Sequence, residues 1–179
     1  MSPLHSALAA KQISSHRRPA PHARQPVSLW NCLILSADPS RRDGIAKAAA
    51  AAGWETLACD STGAAKRHVA RWRLGLTIVD LQRLDADQRT AYQEFVDGVA
   101  VRRETLLLLC DDSESPLGES WARQLGVWMY LPEAVLDEPL TEICQKARSS
   151  AEKIQATTHP GSPVVPSPAS ATSSLGEAN

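Results

Sequence analysis

Along the middle of the chain, short apolar runs alternate with stretches whose apolar residues recur at helical spacing. The most telling run is Leu74 to Leu81, Leu-Gly-Leu-Thr-Ile-Val-Asp-Leu, bounded by Gly75 and by the polar residues after Leu81. A run of this length, rich in branched side chains, reads as a strand buried on both faces. It delivers one carboxylate, Asp80, to its far end. Cys32–Leu35, Trp54–Cys59, Thr105–Cys110 and Val127–Leu131 read as four more strands, the fourth running into Asp111 and Asp112, the fifth stopped by Pro132.

Helical patterns fill the gaps. Ser40 with Asp43 makes a Ser-x-x-Asp start, and Ile45, Ala49 and Ala52 trace a stripe to a stop at Gly53. Ser61 or Thr62 opens a second helix with Ala65, Val69 and Trp72 on one face and Lys66, Arg67, Arg71 and Arg73 toward water. A third runs from about Asp87 to Val96 with Tyr92, Phe95 and Val96 inward, and a short fourth holds Trp121 and Leu125. The last spans about Leu136 to Ile154, with Leu140, Ile143, Cys144, Ala147, Ala151 and Ile154 at helical spacing. Five βα units of about 20–30 residues predict an α/β fold, a parallel five-stranded sheet with five helices over both faces in a three-layer sandwich.

The flanks differ in character. Residues 1–27 carry Lys11, Arg17, Arg18 and Arg24, histidines and prolines but no acid, which predicts a disordered basic arm, with a transit peptide as the alternative. Residues 157–179 turn to Pro, Ser, Ala and Thr and are expected to be disordered, leaving 28–156 as the folded domain.

Composition removes several classes of function. A net charge of −1 gives no bulk attraction for nucleic acid or an acidic surface. No apolar run approaches the roughly 20 residues of a membrane span. Cys32, Cys59, Cys110 and Cys144 show no C-x-x-C pairing and no metal-finger spacing, so they read as buried thiols in a reducing cytoplasm. Gly-x-Gly-x-x-Gly, a P-loop and Gly-x-Ser-x-Gly are all absent, and His68 lies among Lys66, Arg67 and Arg71 on a wet helix face. The chain is not expected to be an enzyme.

Four segments in order, Leu-Ile-Leu-Ser-Ala-Asp-Pro-Ser-Arg, Thr-Ile-Val-Asp-Leu, Leu-Leu-Leu-Leu-Cys and Gly-Val-Trp-Met-Tyr-Leu, resemble the receiver domain of bacterial response regulators. The resemblance covers about residues 29 to 154 and implies a flavodoxin-like fold. It implies that Asp80 stands at the phosphoacceptor position. The two acids that hold Mg²⁺ in the family correspond to Ser36 and Ala37, with Asp38 just past them, and the hydroxyl residue after the fourth strand corresponds to Cys110. The family's lysine falls near Glu133, of opposite charge, and its mobile tyrosine corresponds to Tyr130.

On this reading Asp80 has lost its counter-charges, and the domain is a degenerate receiver acting as a cytoplasmic protein-interaction module. No cofactor is expected, Mg²⁺ included. The expected partner is a protein: a sensor kinase, another regulator, or a second copy of the chain, with neither nucleic acid nor membrane. Two alternatives stand beside it. One is a genuine phosphoacceptor with an atypical charge arrangement; the other is a cation site gathered from Asp38, Asp80 and Asp111, with Asp112 beside them. Trp121, Trp128 and Tyr130 form the candidate interaction face, with Trp121 the most exposed. Val127, Met129 and Leu131 are expected on one side of the sheet, Trp128 and Tyr130 on the other.

Overall fold

The computed structural model describes residues 30–112, 116–132 and 138–158. Five strands alternate with five helices: β1 (Asn31–Leu35), α1 (Pro39–Ala51), β2 (Glu55–Cys59), α2 (Thr62–Arg71), β3 (Leu76–Asp80), α3 (Ala86–Arg102), β4 (Leu106–Asp111), α4 (Pro116–Leu125), β5 (Met129–Pro132) and α5 (Glu138–Thr158). All pairings are parallel, in the order β2-β1-β3-β4-β5. This is the expected flavodoxin-like sandwich.

The strand order reverses between β1 and β3, and it is at the C-terminal ends flanking such a reversal that these sheets collect polar groups. β1 and β3 are buried at every position, as strands covered on both faces must be. Alternate residues divide the core. Cys32, Ile34, Leu76, Ile78 and Leu108 pack toward α1 and α5, whereas Leu33, Leu35, Val79, Leu107 and Leu109 pack toward α2, α3 and α4.

Local chemistry adjusts several boundaries. Asp38, not Ser40, caps α1: its side chain accepts from the backbone N–H groups of Ser40 and Arg41, and Pro39 occupies the first helical turn. Pro39 suits that place because its missing N–H would be unpaired there anyway. Gly53, with φ +84°, ends α1 as its sequence position predicts. α3 starts on a capping box between Asp85 and Gln88 and continues past Val96 to Arg102, burying Val99 as well.

Two expectations about apolar residues need correcting. Ile154 is 54% exposed, because α5 has run past the sheet by then. Trp128 packs with Met129 and Leu131 on the α1/α5 side, while Val127 joins Tyr130 on the other. Strict alternation begins only at Met129, where β5 itself begins.

At the opposite end of the sheet the last helix is fastened by aromatic contacts. Trp54 donates its indole N–H to the Cys144 carbonyl at 2.9 Å. Trp30 meets Trp54 edge to face, and the Arg148 guanidinium lies 4.3 Å above the Trp30 ring.

Candidate functional site

Asp80 ends β3 and is 1% exposed. Its side chain faces α1 because it follows Ile78 by two residues on the same face of the strand. Arg41, in the first turn of α1, grips it with a two-pronged fork: Nε donates to Oδ2 at 2.8 Å and Nη2 to Oδ1 at 3.0 Å. The Ser36 hydroxyl adds a third bond to Oδ2 at 2.8 Å. Both carboxylate oxygens are therefore engaged.

The expectation that Asp80 lacks a counter-charge is corrected by this pair. The cation comes from α1, one turn past the Asp38 cap, and not from the segment after β5. Burial alone would lower the Arg41 pKa; the hydrogen bonds and charge of Asp80 outweigh it and raise it. The guanidinium stays charged at any pH the fold survives.

A second buried carboxylate, Asp111, ends β4 on the opposite face of the sheet and is fully enclosed. Arg89, in the first turn of α3, places Nη2 at 2.8 Å from each of its oxygens. The Tyr130 hydroxyl from β5 donates to Oδ2 at 3.2 Å, and the backbone N–H of Asp112 donates to Oδ1 at 2.9 Å. Burial, then the charge and hydrogen bond of Asp111, push the Tyr130 phenol up to about 12. Arg89 also reaches the Leu81 carbonyl at 3.2 Å, and Arg42 the Ser36 carbonyl at 3.0 Å. Three first-turn arginines thus turn back onto the strand ends.

The remaining candidates fall around these two centres. Ser36 follows β1 directly and is buried against Asp80; Ala37 is half-buried and offers only a methyl group. The Asp38 carboxylate is spent on the α1 cap, with Arg83 at 3.5 Å. Its pKa is lowered, first by the Arg41 backbone N–H. Cys110 stands in register beside Asp80 with its thiol sealed in the core, where burial and then the neighbouring Asp80 raise its pKa. Glu133 lies outside the described residues.

The acids do not converge as a cation site would require. Asp80 and Asp111 point to opposite faces, each with its own arginine, and among the described residues no three His, Cys, Asp or Glu side chains gather around a common point. Mg²⁺ demands near-octahedral oxygen ligands. Ser36, Ala37 and an Asp80 already covered by a guanidinium do not fit it.

The candidate face is less open than expected. Trp121 is half-buried against the core on the α2, α3 and α4 side and is not the exposed ring predicted; Trp128 and Tyr130 are half-buried too. Sequence reasoning missed Arg41 and Arg89. Their signal was a cation in the first turn of a helix, where the helix dipole disfavours positive charge by about 0.3–1 kcal/mol unless a nearby anion compensates.

No family model matches the chain, and no curated protein matches it in sequence. Solved structures share its fold. A CheY-like response regulator receiver domain protein of Methanospirillum hungatei is 18% identical, with a TM-score of 0.58 over 71% of this chain and 99% of its own. The chemotaxis response regulator CheY4 of Vibrio cholerae is 19% identical, with a TM-score of 0.56 over 67% and 99%. A pilus assembly-related protein of Burkholderia pseudomallei is 17% identical, with a TM-score of 0.53 over 72% and 93%. The likeness is one of fold, and it spans nearly the whole length of each of these structures.

Proposed function

We propose that this chain is a degenerate receiver of the two-component type, a cytoplasmic interaction module whose Asp80 is not a working phosphoacceptor. The observation that carries this reading is the Arg41 fork on both oxygens of Asp80. A carboxylate attacks phosphorus with a free lone pair in line with the leaving group. Here the nucleophile is enclosed and bonded to a fixed cation. Breaking a buried ion pair costs about 3–5 kcal/mol. At about 1.4 kcal/mol per factor of ten, that slows attack by two to three orders of magnitude or more.

The arginine also takes over structural work. Asp80 needs a counter-charge to remain ionised out of water, and Arg41 supplies one permanently. The sheet edge is then held in one state without metal or phosphate. The partner is a protein: a sensor kinase, another regulator, or a second copy of the chain.

Treatment with acetyl phosphate and Mg²⁺, followed by intact mass spectrometry, tests the reading. The expected result is no gain of a phosphoryl group. A stoichiometric gain that vanishes in Asp80→Asn would overturn it and establish the genuine phosphoacceptor instead.

A further inference from the structure

At the other edge of the sheet, where the strands begin, charge is neither buried nor paired. Arg71, Arg73, Arg102 and Arg103, around the ends of α2 and α3, are all exposed. None of them makes an ion pair among the described residues. Hydrogen bonds bring these helix ends onto the strand starts: the Asn31 side-chain amide donates to the Arg73 carbonyl at 3.1 Å, and the Leu106 backbone N–H to that of Gly75 at 3.1 Å. Set against the exposed Glu55 and Glu104 of the same edge, the four arginines leave a local positive excess.

Apolar surface lies within that field. Trp72 is 38% exposed and Val101 82%. Two hollows meet at Thr105. One, shallow and open to solvent, is bounded by Val69, Trp72, Val99, Arg102 and Glu104. The other, deeper and also open, runs between the ends of α3 and α4 over Leu106, Leu107, Leu125 and Trp128, with Arg103 beside them.

We propose that this groove takes an acidic, amphipathic segment of a partner protein, its carboxylates on the arginines and its apolar side chains in the two hollows. The proposal rests on the module acting through protein contacts, and it names the chemistry of the partner. A lipid surface is flat and would leave both hollows unfilled. A nucleic-acid strand binds by stacking its bases, and a single exposed ring is not a stacking platform. The chain's own leader is excluded by sign, since it carries Lys11, Arg17, Arg18 and Arg24 without an acid.

The test uses the full chain, ¹⁵N-labelled, and a fluorescent amphipathic peptide with Glu on its polar face and Leu on its apolar face. Its Lys-for-Glu counterpart, duplex DNA and phosphatidylserine vesicles serve as competing probes. The Glu peptide should shift the amide signals of Trp72, Arg103, Thr105 and Leu106 while leaving those of Ser36 and Asp80 in place. The double variant Arg102→Gln/Arg103→Gly should weaken it about tenfold, the effect of losing two exposed ion pairs together. That variant should melt where the parent does, because both side chains are exposed and glycine suits the φ of 51° at Arg103. Absence of Glu-peptide binding, equal binding of the Lys peptide, preference for DNA or vesicles, or an unaltered affinity in the double variant would each overturn the proposal. Such a failure leaves the phosphorylation reading untouched, since acetyl phosphate probes the opposite edge of the sheet.

Discussion

Asp80 and Asp111 close neighbouring strands, both out of water, yet they are supported differently. Asp80 depends on a single arginine whose side chain is 12% exposed, helped by one hydroxyl. Asp111 draws on Arg89, Tyr130 and a backbone N–H, and its arginine is 28% exposed. The lesson concerns redundancy. A buried charge with one strong partner is a single point of failure, whereas one with several lesser partners degrades gradually.

Removing the arginines should expose that difference first. Arg41→Ala strands a buried carboxylate and is expected to cost about 3 kcal/mol or more. Urea unfolding would show it as a lower midpoint at unchanged slope. Arg89→Ala should cost less, about 2 kcal/mol, because Asp111 keeps its phenol and amide donors. Equal losses, or a larger one at Arg89, would reverse the ranking.

Tyr130→Phe tests the network more gently, with an expected loss of about 1 kcal/mol at neutral pH. Its pH dependence has a definite sign. The phenol pKa is raised from 10.0 in the unfolded chain to about 12 in the fold. The unfolded chain therefore releases this proton first, and the contribution of Tyr130 is complete below pH 10 and lost as pH rises through about 12. The gap between parent and Tyr130→Phe should narrow across that window. Cys59, raised by burial to about 11, and Cys144, to about 12, add to the alkaline loss in both proteins. Paired midpoints at neutral and alkaline pH would show a widening gap if the sign were wrong.

The smallest effect is expected from replacing both members of the Asp80 pair. Arg41→Met with Asp80→Leu removes the charges together, and such exchanges are commonly neutral or stabilising. A near-parental midpoint here, beside a large loss in Arg41→Ala, would show that the pair matters by mutual compensation and not by net attraction.

Much of the fold was legible because its signals are local. β3 and β4 declare themselves as short branched apolar runs, and Gly53 stops α1 where the stripe ends. Strand order was not legible, since which strands neighbour one another depends on packing between distant segments. The resemblance directed attention to Asp80, Ser36 and Cys110, which share one neighbourhood in the structure. Arg41 escaped notice because a solvated surface arginine and one folded back on a strand end look alike in sequence. Only the three-dimensional return of α1 and α3 to the same sheet edge tells them apart.

Trp54 sits 4% exposed with its indole tied to the α5 backbone. In a chain whose other tryptophans are replaced by phenylalanine, its fluorescence becomes a built-in gauge of whether the last helix remains seated. A colour shift reports detachment of that helix, independently of any titration or exchange at the carboxylates across the molecule.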